Sequence, residues 1–335
     1  MKKVGIIGAS GFAGEELVKF LNLHNESSIL ALSSRELKGQ NPSNFVDDTN
    51  LTFVDPDDDI FYQCDVVFFA TPHGVSMEKA RSYLENGITV IDLSADFRLK
   101  NPETWKDWYG SEHTDLENLK KSVYGLTELN AKKIRDANLI AVPGCYPTAS
   151  ILGLAPLSMS VSNIESITID AKSGISGAGR GTVENNLREE IKENFRAYAT
   201  SGHRHLPEIK QTLVDIYGSE LSINFLPHLI PAMRGIYATI YINFEDNPKE
   251  DFQDIYNKFY QDSPNVSIMS EGEIPEIQKV SYTNNCQIGL YPSAIDNQIV
   301  VISAIDNLVK GAAGQAMECY NLVCGYKQTE GLNNG

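Results

Sequence analysis

Apolar positions along the chain fall into short runs broken by stretches of helical spacing. KVGIIG, residues 3–8, closes on a glycine, and Phe12, Leu17, Phe20 and Leu21 then recur through GFAGEELVKFLNL on one helix face. The pattern predicts a strand, a tight turn and a helix. Further strand-like runs follow at SILALSS, CDVVFFAT, ITVIDLS and NLIAV, and GVSMEKARSYLENG between the second and third of these reads as a helix. Near-continuous apolar strands alternating with helices predict a parallel sheet covered on both faces, the doubly wound Rossmann-type α/β arrangement.

After Cys145 the texture changes. IESITIDAKS, GIYATIYINF, QIGLYPSAI and QIVVISAIDN are longer and alternate apolar with polar, as antiparallel strands do. The expected boundary separates a nucleotide-binding domain, residues 1–145, from a substrate and oligomerisation domain of α+β type, residues 146–307. LVKGAAGQAMECYNLVCGY predicts a closing helix over residues 308–326, packed between the domains.

Composition narrows the function classes. At 335 residues, 42% hydrophobic and 21% charged, the chain reads as two globular domains, with only the final EGLNNG suggesting disorder. The net charge of −16 repels a phosphate backbone, which excludes nucleic acid as a partner and requires a local basic pocket for any anionic substrate. Cys64, Cys145, Cys286, Cys319 and Cys324 are odd in number with no CxxC pair, so a disulfide framework and a structural zinc site are not expected and a reducing cytoplasm is. MKKVGIIGAS is short, glycine-broken and followed by Glu15 and Glu16, so it reads as a buried strand and not as a signal peptide. No run is long enough for a membrane span.

GASGFAG, residues 8–14, spaces Gly8, Gly11 and Gly14 at a strand-to-helix turn, with Ser10, Phe12 and Ala13 between them. Glycines there permit close backbone approach, and the helix N-terminus offers N–H groups and a positive dipole end to a pyrophosphate. The second strand ends near Ser33, Ser34 and Arg35, where an NAD-binding chain commonly carries an acidic residue on the ribose. Hydroxyls and a guanidinium suit a 2′-phosphate instead, so the expected cofactor is NADP(H).

Cys145 follows Pro143-Gly144, which ends a strand, and precedes Pro147, which suits the first turn of a helix over TASILGLAPL. A thiol at a helix N-terminus has its thiolate stabilised by the dipole and becomes a nucleophile near neutral pH. Cys64, Cys319 and Cys324 read as small buried hydrophobes, and Cys286 carries no assignment.

The run IAVPGCYPTASILGLAP, residues 140–156, resembles the active-site signature of the N-acetyl-γ-glutamyl-phosphate reductases of arginine biosynthesis. The similarity extends over nearly the whole chain, through GASGFAG, DLSADFR, VYGLTELN, KSGISGAGRG, GHRHLPEI, PHLIPAMRGI and DNLVKGAAGQA. The resemblance implies the two-domain architecture shared with aspartate-semialdehyde and glyceraldehyde-phosphate dehydrogenases, in which the C-terminal helix returns to the cofactor domain. It also implies Cys145 as the nucleophile.

GHRHLPEI places His203 and His205 two residues apart, with Pro207 and Glu208 opening a helix. Two histidines and one carboxylate lack a fourth metal partner, so no metal is expected. The alternative is an imidazole that pairs with the thiolate and protonates an alkoxide, with Glu208 setting its tautomer. An extended segment would point the two rings to opposite sides, so one of them, with His203 preferred, should reach Cys145.

An acyl phosphate and a carboxylate need cations on an acidic protein. Arg98 resembles the phosphate-holding position of the wider semialdehyde-dehydrogenase group, and Arg180 and Arg204 are further substrate-binding candidates. KSGISGAGRG, residues 172–181, reads as a loop that encloses a substrate, and the resemblance implies that Asn307 meets the nicotinamide amide.

The expected activity is NADPH-dependent reduction of an N-acyl-γ-glutamyl phosphate to the semialdehyde through a Cys145 thioester, with a small-molecule acyl-phosphate substrate, no membrane partner and a homo-oligomer, dimer or tetramer. The rivals are an aspartate-semialdehyde dehydrogenase and a non-catalytic NADP-sensing regulator of the same fold.

Overall fold

The computed structural model describes residues 1–42 and 51–332. These residues form two compact units, one of Met1–Gly144 with the chain from Ala312 onward, the other of Cys145–Gly311.

In the first unit, β1 (Lys2–Ile7), β2 (Ser27–Ser33), β3 (Phe53–Val54), β4 (Val66–Phe69), β5 (Thr89–Asp92), β6 (Val123–Tyr124) and β7 (Leu139–Ala141) form one sheet in the order β3-β2-β1-β4-β5-β7-β6. Every pairing is parallel. Val66–Phe69 are all buried, as strands covered on both faces must be. The order reverses at β1, and the crevice at the carboxyl ends of the strands is where such sheets bind ligands. Helix Phe12–Asn22 follows β1, and helix Ser76–Glu85 follows β4.

The closing helix is shorter than its periodicity suggests: a π turn at Val309–Ala313 leads into an α-helix at Gly314–Val323. That helix packs on helices Thr127–Arg135 and Phe12–Asn22 of the first unit. Its buried Tyr320 and Asn321 bond the Ser27 hydroxyl and His24 Nε2 at the start of β2. The terminal EGLNNG is only partly described: the Glu330 carbonyl accepts from Asn321 Nδ2, and residues 333–335 lie outside the described residues.

The second unit holds β8 (Ile164–Ser173), β9 (Arg196–Ala197), β10 (Ile223–Leu229), β11 (Ile236–Phe244), β12 (Val266–Ile268), β13 (Cys286–Pro292) and β14 (Gln298–Ile305), in the order β12-β13-β14-β11-β8-β10-β9. The four long strands read from alternation are antiparallel to their neighbours within that set. The sheet as a whole is mixed, because β10 runs parallel to β8 and β12 parallel to β13. Alternation along a strand reports which face is covered, not the direction of its neighbour. Ile167, Ile169 and Ala171 of β8 and Ala238, Ile240 and Ile242 of β11 are buried. They face helix Cys145–Leu154, which packs on β11 and β14.

Candidate active site

In the first unit the glycine turn is a backbone cradle. Gly8 has φ +87°, and a Cβ there would fall 2.5 Å from the Ala70 carbonyl oxygen. A Cβ on Gly14 would fall 2.5 Å from the Gly8 carbonyl oxygen and 2.7 Å from the Ala9 Cα. Only glycine fits at either position. Gly11 is the N-cap of helix Phe12–Asn22 and brings no side-chain cap, which suits a helix end that receives an anion. Ala13 lies in the first turn beside it.

The turn is tied to the end of β2. The Gly8 N–H donates to Ser33 Oγ at 3.2 Å, and Ser10 Oγ donates to Ser34 Oγ at 2.9 Å. Arg35 is exposed just beyond. Burial, joined by the Arg35 charge, pushes the Lys79 ammonium below its usual range, so Arg35 and Lys79 stand near each other at this edge; Lys79 is bonded to Asp57 and a third cation, Lys38, to Asp55. Hydroxyls and cations at the tip of β2, with a cradle at the end of β1, fit the adenosine 2′-phosphate and pyrophosphate of NADP.

Arg98 is buried and turned into the protein, where its Nε donates to the Val142 carbonyl at 2.7 Å and its Nη2 to the Leu93 carbonyl at 2.8 Å. It thereby fastens the end of β7 to the segment after β5. Nearby, the Asp92 carboxyl is pushed up to about 7 by burial and by Asp96, while Ser94 and Ser76 link the two carboxylates.

In the second unit Cys145 is the half-buried first residue of helix Cys145–Leu154. Gly311 lies against it: a Cβ at 311 would fall 2.7 Å from the Cys145 Cβ. Tyr146 is buried beside it, donates to the His228 carbonyl at 3.2 Å and accepts from the Tyr198 hydroxyl at 3.2 Å. Burial raises the Tyr198 hydroxyl to about 12, and the Cys145 sulfur adds to that rise, so Tyr198 stands neutral beside the thiol.

His203 and His205 are not on opposite sides. Their ring centroids are 4.8 Å apart, and both rings stand edge-on to Tyr146, at 5.6 and 5.9 Å. The segment is a turn into helix Leu206–Tyr217 and not an extended strand, so the alternation argument does not apply to it. His203 Nδ1 accepts the His205 N–H at 3.1 Å. Burial, helped by the Arg204 charge, pushes His203 down to about 4. His205 is the N-cap of the helix, and Glu208, buried three residues later, occupies the capping-box position.

The remaining candidates separate. Arg204 is exposed, and Arg180 pairs at 3.5 Å with Glu184 in the glycine-rich segment. Asn307 Oδ1 accepts from the Gly235 N–H at 2.8 Å and Nδ2 donates to Ser176 Oγ at 2.8 Å, so its side chain ties that segment to the start of β11. Residues 172–181 are not a bare loop: the run ends β8, makes a 3₁₀ turn at Ile175–Ala178 and opens a short helix at Arg180. Gly311, Tyr198 and Tyr146 went unassigned in the sequence. A glycine inside a helical pattern weakens the helix and hints at a packing role for Gly311, but its partner Cys145 carries no local signal.

Among the described residues, no three His, Cys, Asp or Glu side chains converge as a metal-ligand group, and no helix is long and apolar enough to cross a membrane.

Residues 3–137 match the NAD-binding domain of semialdehyde dehydrogenases, and residues 145–307 match their dimerisation domain. The chain is 44% identical over 338 residues to the N-acetyl-gamma-glutamyl-phosphate reductase of Ruthia magnifica subsp. Calyptogena magnifica, covering 99% of this chain and 98% of that one. It is 45% identical over 341 residues to the reductase of the same name from Marinobacter nauticus, at 99% and 98% coverage. Among solved structures, aspartate semialdehyde dehydrogenase II from Vibrio cholerae, complexed with ASA, superposes with a TM-score of 0.76 at 16% identity, over 97% of this chain and 98% of that one. Aspartate semialdehyde dehydrogenase with NADP from Candida albicans superposes with a TM-score of 0.70 at 17% identity, at 97% and 98% coverage.

Proposed function

The chain belongs to the N-acetyl-gamma-glutamyl-phosphate reductase family, and from that premise we propose that it reduces N-acetyl-γ-glutamyl phosphate to N-acetyl-glutamate 5-semialdehyde and phosphate. The observation that carries the reading is Cys145: a half-buried thiol on the first residue of a helix, flanked by Gly311, Tyr146 and Tyr198.

The Cys145 thiolate attacks the acyl carbonyl. A C–S bond forms, the bond between the acyl carbon and the bridging oxygen breaks, and phosphate leaves with that oxygen and the bonding pair. Gly8, Ser10, Gly11, Phe12, Ala13 and Gly14 would hold the pyrophosphate of NADPH, and Ser34 and Arg35 its 2′-phosphate. When bound, NADPH supplies the hydride that reduces the thioester carbonyl. N–H groups of the first turn after Cys145 stabilise the resulting thiohemiacetal oxyanion.

An imidazole donates a proton to that oxyanion and recovers it as the C–S bond breaks, which releases the semialdehyde and the thiolate. His205 is favoured over His203 for this role. His203 is held neutral by burial and its Nδ1 is taken by a backbone N–H, whereas His205 stands three residues before buried Glu208. Arg204, exposed, and Arg180, half-buried, are the cations of the second unit that meet the substrate anions, and Arg98 supports the chain that leads to Cys145. The end of β8 and the glycine-rich segment after it enclose the thioester and keep water from it.

The protein works as a homo-oligomer. A match to a dimerisation domain supports this, as does the half-buried face of the second sheet, where Tyr237, Tyr241, Val300 and Ile302 stand opposite the helix-covered side. Five free cysteines fit a reducing cytoplasm.

The test is phosphate-dependent NADP⁺ reduction with N-acetyl-glutamate 5-semialdehyde, run beside the N-succinyl compound and aspartate semialdehyde. Turnover with the acetyl substrate that exceeds both others supports the reading, and a preference for aspartate semialdehyde overturns it.

A further inference from the structure

Arg234 and Asp306 form an ion pair inside the second unit, with Nη1 and Oδ2 3.2 Å apart, the Arg234 side chain 11% exposed and Asp306 fully buried. The arginine is aligned from its other face as well, since its guanidinium carbon lies 4.3 Å from the centre of the Tyr282 ring. Tyr282 is held at the left-handed φ of +64°, and its N–H donates to the same Asp306 Oδ2 at 2.7 Å. A strained non-glycine backbone persists only where its surroundings over-determine it.

Asp306 reaches the nucleophile through its own turn. Its Oδ1 accepts from the Leu308 N–H at 2.7 Å and the Val309 N–H at 3.1 Å, and its carbonyl accepts from the Gly311 N–H at 2.9 Å. This is the glycine that lies against Cys145. On its other side Arg234 belongs to the strip that carries the glycine-rich segment: the Gly174 N–H donates to the Gly235 carbonyl at 2.8 Å, and the Ser176 N–H to the Met233 carbonyl at 3.0 Å. One buried pair therefore joins the segment proposed to enclose the substrate to the turn that backs the thiol.

We propose that Arg234 and Asp306 are positioning residues for the reaction, a neutralised buried pair that seats the Asp306–Gly311 turn against Cys145. Neither touches the reacting atoms. The pair can do this without penalising the thiolate because its charges cancel. Arg234 alone would favour the thiolate, and Asp306 alone would oppose it. Tyr146 and Tyr198 also bear on Cys145, Arg204 acts on Tyr198 and His203 behind them, and Lys310 is buried in the Asp306–Gly311 turn itself. This inference rests on Cys145 being the nucleophile.

The experiment follows the pH dependence of Cys145 alkylation by iodoacetamide, with Cys145→Ser as the blank, together with kcat and KM for phosphate-dependent semialdehyde oxidation. Arg234→Met should raise the alkylation midpoint by about one pH unit, and Asp306→Asn should lower it. In both variants kcat should fall at least about tenfold while KM for NADP⁺ stays within about twofold, because the seating of the turn and not cofactor binding is disturbed. Opposite shifts of the midpoint are a signature that a purely structural loss would not produce. Midpoints and kcat close to the parent protein in both variants overturn the proposal. If Arg234→Met does not fold, Asp306→Asn decides alone: an unmoved midpoint with an unmoved kcat overturns the proposal, and a lowered midpoint with a reduced kcat upholds it. Failure of the underlying reading is visible separately, as parent protein that keeps its activity after Cys145 is alkylated.

Discussion

Gly311 and Cys145 are in direct contact although they lie far apart in the chain, with space at position 311 for hydrogen but not for a methyl group, whose carbon would sit 2.7 Å from the Cys145 Cβ and 3.1 Å from its Cα. The first turn of the Cys145 helix is thus held in place from outside the helix.

Gly311→Ala is expected to act on chemistry more than on folding. Overpacking of a tight contact costs about 1–3 kcal/mol, which a domain of this size tolerates, but the displaced atoms carry the thiol. Turnover should fall at least about tenfold with KM for NADP⁺ little changed. Steady-state kinetics beside a thermal melt test this, and full turnover in the alanine variant would show that the contact relaxes harmlessly.

Cys145→Ser should abolish phosphate-dependent oxidation of the semialdehyde and leave NADPH binding intact, because a hydroxyl at this site has no comparable anion and the cofactor cradle lies in the first unit. Turnover is read at saturating phosphate, and NADPH binding by fluorescence titration. Substantial residual turnover would rule out a covalent route.

Arg35→Ala should weaken NADPH binding by about tenfold, or roughly 1.4 kcal/mol, and leave NADH binding unchanged. Arg35 stands beyond the Ser10–Ser34 hydroxyl pair at the end of β2, where only the 2′-phosphate distinguishes the two cofactors. Equal losses for both nucleotides would point to a general role in the fold.

His203 gives a stability prediction with a definite sign. Its pKa falls from 6.5 to about 4 in the folded protein, so the unfolded chain binds the extra proton first. The contribution is fully present above pH 6.5 and is lost as pH drops towards 4, at no more than about 1.4 kcal/mol per pH unit. Asp92, raised from 3.8 to about 7, has the opposite slope over much of the same window, so the parent protein's own profile mixes the two. The clean readout is a difference. His203→Phe should flatten the acid limb relative to the parent in denaturant titrations from pH 4 to 7, and Asp92→Asn should steepen it.

The same variant separates the two imidazoles kinetically. If His205 moves the proton, His203→Phe keeps at least about a tenth of the parent kcat, since Phe preserves the aromatic nest of Tyr146, Tyr198 and Phe225. His205→Gln should instead lose about 10²-fold or more. The reverse order of losses would reassign the role to His203.

Much of this molecule is local and therefore readable from its residues in order. The apolar runs that become β1, β2, β4, β5 and β7, the alternation of β8, β11, β13 and β14, the glycine turn at Gly8, and a cysteine at a strand-to-helix junction all follow from spacings of a few residues. Hydrophobic period and turn chemistry act at that range. The short strands β3, β6, β9 and β12 did not announce themselves, because two or three residues carry no period and take their conformation from the neighbour they pair with.

What only the folded chain decided are relations between residues distant in sequence. A turn between Gly202 and Leu206 brings two imidazoles to one aromatic nest. Arg98 is occupied by two backbone carbonyls and Asn307 by two segments of the second unit. Gly311 backs Cys145, and Arg234 meets Asp306. Such contacts depend on how strands register across a sheet and how helices pack upon it, and no local spacing encodes them. Residue type and local pattern determined which chemistry this protein carries; long-range packing decided which of its candidate groups stand together to perform it.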